Sequence, residues 1–266
     1  MSTRALRTAA SGMYAQQINI EVISNNIANI NTTGFKKNKA DFQDLMYQEV
    51  NINPLTSSTP GIEDTSTSKI QIGNGVKPSS TIKIFLQGDI TPTKNQSDLA
   101  IYGEGFFQVL KSDGSYAYTR DGSFKISAEG KIVTASGYTL EPGITLNSDI
   151  TSLSIGKDGT VEANLLDGGK TVLGNIELVR FINNGGLVAL GDNLYAESQA
   201  SGRPILGTPG SQGFGEINQG FLEASNVDIV EEMISMIAAQ RAYEINSKTV
   251  KTVEDMMSIA NNLKRA

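Results

Sequence analysis

The chain has 266 residues, with 22 Lys and Arg against 28 Asp and Glu and a net charge of −6. That balance argues against a nucleic-acid binder, whose affinity comes from basic patches on phosphates. Cysteine and histidine are both absent, which removes disulfides, thiol nucleophiles, Cys/His metal sites and every acid–base or triad mechanism built on histidine.

The first element in chain order is a long helix, predicted over residues 2–30. Leu6, Ala9, Met13, Gln16, Ile20, Ile23, Ile27 and Ile30 follow one another at alternating steps of three and four. Seven of those eight are apolar, which is a heptad seam. Asn31-Thr32-Thr33-Gly34 marks its stop, because Gly34 can take the left-handed conformation that ends helices. Arg7, Thr8, Ser11, Gln16 and Gln17 interrupt the apolar core that a cleaved signal peptide requires. No stretch approaches the ~18 apolar residues of a membrane span, so membrane insertion is not expected.

Ala40 to Tyr47 reads as a short helical or extended piece. From Asn51 to Lys69 the composition turns to Ser, Thr and Pro, with Pro54, Pro60 and Gly61 breaking any period. This predicts a long loop over residues 49–69. From Ile70 to about Tyr195, short β-prone runs recur at hairpin spacing. Asp113-Gly114, Asp121-Gly122, Glu129-Gly130, Asp158-Gly159 and Asp167-Gly168 stand between several of them as turn pairs. Residues 202–220 are again rich in Gly and Pro. A second helix then starts at Ser225, read as its N-cap, with Glu231 and Glu232 in the first turn and Lys264 and Arg265 in the last. Its stripe runs through Ala238, Ala242, Ile245, Thr249, Thr252, Met256, Ile259 and Leu263.

The fold class predicted is α+β, with paired, coiled-coil-like terminal helices enclosing an inserted, mainly antiparallel β region. The division expected is nested. Residues 1–32 with 225–266 form a polymerisation domain, 33–75 with 190–224 a connecting domain, and 76–189 an outer β domain. A lone amphipathic helix cannot bury its stripe, so each end must pack on the other or on a neighbouring subunit. The positions assigned to subunit contacts are Leu6, Met13, Ile20, Ile23, Ile27 and Ile30 in the first helix. In the second they are Ile234, Ile237, Ala242, Ile245, Met256, Ile259 and Leu263.

Chemistry is scarce between the helices. The Asp-Gly pairs lack the spacing of calcium loops and read as turns. Gly103-Glu104-Gly105 begins like a dinucleotide fingerprint, but Phe106 and Phe107 follow and no helix opens there. A carboxylate pair of a peptidoglycan hydrolase is not set out by any spacing. No catalytic residue, metal or cofactor is assigned.

Several motifs in order carry a resemblance. Ser24-Asn25-Asn26-Ile27-Ala28-Asn29-Ile30-Asn31-Thr32-Thr33-Gly34-Phe35-Lys36 resembles the N-terminal signature of bacterial flagellar rod and hook proteins. Gly220-Phe221-Leu222-Glu223-Ala224-Ser225-Asn226-Val227 and Gln240-Arg241-Ala242-Tyr243-Glu244 are similar to that family's C-terminal signature. Asp98-Leu99-Ala100-Ile101, Gly105-Phe106-Phe107, Tyr118-Thr119-Arg120-Asp121-Gly122-Ser123-Phe124 and Gly191-Asp192-Asn193-Leu194-Tyr195 are similar to its middle region.

The resemblance implies a structural, non-enzymatic subunit of a helical homopolymer in the periplasmic basal body, exported through the flagellar type III apparatus without a cleaved signal. Its implied neighbours are proximal rod proteins, the hook protein and the surrounding ring proteins. Within the family, the length and the 49–69 insertion fit the distal rod type. Proximal rod and short hook paralogues share the terminal signatures and stay open as alternatives.

Overall fold

The structure, a computed structural model, describes residues 2–52, 68–146, 150–165, 169–211 and 213–263. Two helices flank a mainly antiparallel β region, so the class is α+β. Helix α1 is Ser2–Ala28 and helix α2 is Ile229–Leu263. The chain groups into two compact units, where sequence patterning divides it into three.

The first unit holds residues 1–24, 39–81 and 230–266. Its α1 segment has no Gly or Pro apart from Gly12, and the repeating apolar row gives it one face to bury. The piece after the α1 stop is extended: strand Asn38–Asp44 pairs with Val76–Lys83. Leu45 N donates to Gly75 O at 2.9 Å. A second ladder sits where the sequence predicts only loop. Gln48–Ile52 and Ser68–Ile72 pair antiparallel from Gln48↔Ile72 to Ile52↔Ser68. Asn51 lies opposite Lys69 there, so both ends of the expected loop are strands. The β-branched Val50 stands opposite Ile70, and Ile72 follows two positions on, which gives that ladder its β character. Pro54, Pro60 and Gly61 lie outside the described residues.

Ser11 ties α1 to these strands: Val76 N donates to Ser11 Oγ at 3.3 Å. A Cβ added to Gly75 would fall 2.1 Å from that oxygen. On another side of α1, a Cβ on Gly12 would come 2.9 Å from Asn246 Nδ2 of α2. The small residues Ser11 and Gly12 are therefore what let α1 approach both a strand and a helix.

The second unit holds residues 25–38 and 82–229. After Ala28 the chain closes through two turns, Thr32 N to Asn29 O at 3.1 Å and Phe35 N to Thr32 O at 3.3 Å. Gly34 follows with φ +67°. The main sheet has nine strands. Its spine is the hairpin Phe106–Leu110 with Tyr116–Thr119, extended on one side by Leu194–Ala196 and Val188–Gly191. Leu178–Arg180 and Thr139–Leu140 also pair with Phe106–Leu110. Ile150–Ile155, Thr160–Leu165 and Lys170–Asn175 form a three-stranded meander. Two short ladders complete the unit, Leu99–Tyr102 with Glu216–Gln219 and Ile90–Pro92 with Phe221–Glu223.

The core forms from the inward rows of these strands. Leu99, Ile101, Phe107, Val109, Phe124, Ile176, Leu178 and Ile217 make one cluster, and Phe106, Tyr118, Val179, Phe181 and Tyr195 the other. Edge-to-face pairs such as Tyr118 on Phe181, with centroids 4.8 Å apart, order the second. Gly103-Glu104-Gly105 is the turn that leads into Phe106 and Phe107, both fully buried.

Three of the five turn pairs close hairpins in the way their composition predicts. Gly114, Gly130 and Gly159 take positive φ between paired strands. Asp121-Gly122 does something else. A Cβ on Gly122 would lie 1.5 Å from Leu99 O, so this glycine permits a backbone crossing. Asp167-Gly168 lies outside the described residues.

Candidate assembly surfaces and a buried ion cluster

All eight positions of the α1 row are buried or half-buried in the single chain, with Ala9 and Ile23 the most enclosed. The row at Leu6, Met13, Ile20, Ile27 and Ile30 is thus a packing face. Beside the row, Ser11 meets the strand residue Val76 and Gly12 approaches Asn246 of α2, contacts that the helical period alone does not reveal.

Helix α2 differs from its sequence reading. It begins at Ile229, four residues after Ser225. The reason lies at Asn226, whose Nδ2 donates to Ile84 O at 2.8 Å and Leu86 O at 3.1 Å while its Oδ1 accepts from Lys37 N at 2.8 Å. These bonds tie Asn226 to residues remote in sequence, and residues 224–228 lie outside the helix. Glu231 and Glu232 do fall in the first turn, facing the positive end of the helix dipole. Lys264 and Arg265 lie outside the described residues.

The covered row of α2 is Ala239, Ala242, Asn246, Val250, Val253 and Met257. The row predicted from the sequence shares only Ala242 with it. Ile234, Ile237, Ile245, Met256, Ile259 and Leu263 are 56–75% exposed. With about 100° of turn per residue the two rows stand roughly a quarter turn apart. One faces the chain's own fold, and the large apolar side chains of the other are mostly exposed among the described residues. The row of α2 that packs within the chain is therefore one position along from the row read from the sequence.

Sequence reasoning missed an ion cluster in the second unit. Lys36 and Glu223 are fully buried, and Arg120 is 4% exposed. Lys36 Nζ lies 2.5 Å from Glu223 Oε1 and donates to Leu86 O at 2.6 Å. Arg120 Nη1 reaches Glu223 Oε2 at 3.3 Å, and its Nη2 donates to Gly103 O at 2.8 Å. Glu223 also accepts from Gly88 N at 3.0 Å. The Arg120 guanidinium stands 5.4 Å from the Phe106 ring centroid, and its Nε has no hydrogen-bond partner among the described residues.

Burial pushes the Lys36 ammonium below its usual range, against the pull of Glu223. Burial lowers Arg120 in the same way. Two cations share one carboxylate, so each depends on Glu223. The three charges stand in the runs Gly34-Phe35-Lys36, Tyr118-Thr119-Arg120 and Phe221-Leu222-Glu223, far apart in sequence, and no local pattern marks them as meeting.

Those three runs lie in the motifs that carry the resemblance, and comparison with known proteins extends it over the whole chain. Residues 6–36 match the model described as flagella basal body rod protein, and residues 100–163 the flagellar hook protein FlgE/F/G D1 domain. Residues 218–263 match the flagellar basal body rod FlgEFG protein C-terminal model. A flagellar basal-body rod protein FlgG of Borreliella burgdorferi is 49% identical, over 98% of this chain and 99% of that one. The FlgG of Caulobacter vibrioides is 48% identical, with 98% and 99% coverage.

The chain belongs to the FlgG family of flagellar basal-body rod proteins.

The FlgG of Bacillus subtilis, at 39% identity over 98% of this chain, belongs with these. A Helicobacter pylori flagellar hook protein FlgE2 structure matches 71% of this chain and 43% of its own at 16% identity and TM-score 0.25. Membership of the FlgG family makes this a structural subunit of the flagellar basal-body rod, in a family that is not enzymatic. It assembles with other flagellar components into the rod. No helix among the described residues is long and apolar enough to cross a membrane.

Proposed function

We propose that this FlgG-family chain forms the distal part of the rod, a rigid helical homopolymer that transmits torque from motor to hook. The observation that carries this reading is its near-end-to-end likeness to FlgG rod proteins of several bacteria. The uncovered apolar row of α2 supports it, because exposed side chains such as Ile245 and Leu263 need a partner that the single chain does not supply.

In this reading residues 1–32 and 225–266 form the inner, polymerising layer, 33–75 with 190–224 connect, and 76–189 face outward. Proximal rod proteins, the hook protein and the ring proteins are its neighbours. The flagellar type III apparatus exports it to the periplasm without cleaving a signal. Burying a Leu, Ile or Met side chain contributes roughly 1.5–3 kcal/mol. Ordering the backbone costs about 1–2 kcal/mol per residue. A helix with one row uncovered gains its full stability only when neighbours complete the packing, so folding of the ends is coupled to assembly.

Torque needs stiffness. The Asn51–Lys69 segment, including Pro54, Pro60 and Gly61, supplies it by reaching an adjacent subunit and preventing the sliding that bends a filament. The test is deletion of residues 53–67 between the paired strands, followed by electron microscopy of the polymer. Curved or flexible tubes are expected. Straight tubes indistinguishable from wild type would remove the segment from the account of stiffness.

A further inference from the structure

The first unit contains a groove of about 410 Å³ between the helices and a strand end. Arg4, Ala5 and Thr8 of α1 form one wall, Asn246 and Thr249 of α2 the other, and Ile72 lies at one end. The walls present methyl groups and aliphatic stems, and short side chains leave the groove open. Some ten residues nearer the start of α2, Met233, Ile234 and Ile237 stand out together at 52–63% exposure. They occupy one side of the helix at steps i, i+1 and i+4.

Charge separates the two surfaces. Arg4 and Arg7 are the only charged residues of α1 before Glu21. Asp228 and Glu231 are exposed at the start of α2, Glu232 beside them is buried, and the first cation after them is Arg241. A basic groove and an acidic-edged apolar patch on the same chain are complementary, and they are different surfaces. Contact between such a pair is heterologous, and repeated without closure it generates an open helical filament. A self-complementary patch would instead close as a dimer.

We infer that the α1–α2 groove of one subunit receives the Met233–Ile234–Ile237 patch of a second copy of this chain, and that this contact propagates the rod. The inference rests on the proposed polymerisation and specifies its contact. It also fixes an offset. Ile234 precedes Asn246 and Thr249 by 12 and 15 residues, so copies with parallel α2 axes are displaced by roughly 20 Å at 1.5 Å per residue.

The natural absence of cysteine makes the contact directly testable. Ala5→Cys with Ile234→Cys, and separately Thr8→Cys with Ile237→Cys, are introduced into the full chain in flagellated cells. Isolated basal bodies are oxidised under mild conditions and immunoblotted. The expected result is a ladder of dimers, trimers and longer species from at least one double variant, with no cross-link from any single variant. Assembled rods that yield no ladder with either pair overturn the inference and leave the rod reading intact. Dimers from Ile234→Cys alone would also overturn it, because they report an isologous contact. Basal bodies of wild-type cells from which this chain is missing would overturn the rod reading itself.

Discussion

Lys36 Nζ and Glu223 Oε1 lie 2.5 Å apart across 187 residues of sequence, with no exposure of either side chain. The pair joins the segment between the α1 stop and strand Asn38–Asp44 to the strand Phe221–Glu223, which leads toward α2. Backbone bonds reinforce it, since Gly34 N donates to Glu223 O at 2.8 Å and Asn226 N to Phe35 O at 3.4 Å. A non-polar alternative would be cheaper to desolvate, so the ions specify which segments meet rather than add net stability.

Removing the carboxylate strands both Lys36 and Arg120, whereas removing Lys36 leaves Glu223 with Arg120. Glu223→Gln is predicted to destabilise the second unit by about 3–5 kcal/mol, the cost of uncompensated buried charge. Lys36→Met is predicted to cost about 1–3 kcal/mol, the loss of a buried hydrogen-bond partner. Denaturant titration of both variants measures the order, and a Lys36→Met loss as large as that of Glu223→Gln would refute the shared-carboxylate reading.

Alkaline pH should act through Tyr195. Burial raises its hydroxyl to about 12, from the ordinary value of 10.0. Between those values the unfolded chain ionises its tyrosine while the folded chain keeps the proton, so stability falls as pH rises through this window. Lys36, lowered by burial, acts in the opposite sense below 10.5. Comparing wild type with Tyr195→Phe cancels that contribution. The variant should lose less stability between pH 10 and pH 12 in thermal melts, and equal losses would show that Tyr195 is not the group responsible.

Gly34 combines φ +67° with a Cβ position 2.7 Å from Asp121 N and 2.8 Å from Arg120 C. Both neighbours are backbone and cannot rotate away. Gly34→Ala should therefore cost more than the roughly 1 kcal/mol of conformation alone. Chemical denaturation measures it, and a loss under that figure would contradict the close approach.

Much of this was legible in the sequence. The α1 row was legible because three- and four-residue steps persist from Leu6 to Ile30 and Gly34 stops them, and the observed end at Ala28 lies two residues short. The start of α2 was not, because Ser225 has the composition of a cap while Asn226 is held by Lys37, Ile84 and Leu86, all remote in sequence. The α2 row was only half legible. A helix with two apolar rows gives one period but two faces, and contact with Gly12 selects the row through Asn246. The ladder at Gln48–Ile52 was hidden beside a Ser/Thr-rich stretch that dominates the local composition. The ion cluster needed three remote charges to be brought together, which no local pattern encodes.

Coupling of folding to assembly predicts a spectroscopic change. A dilute monomer should give less helical circular dichroism than α1 and α2 would together contribute, and the signal should rise on polymerisation. A monomer with the full helical signal would show that the ends fold without neighbours.

The most direct test of the central claim is electron microscopy of the full chain beside an Ile245→Asp/Ile259→Asp variant, each seeded with isolated proximal rods. Both positions are at least 60% exposed, so the charges leave the single-chain fold intact while blocking any apolar interface along the outer row of α2. The account predicts straight tubes from the wild-type chain and none from the variant. Tubes of equal number and length from both would contradict it.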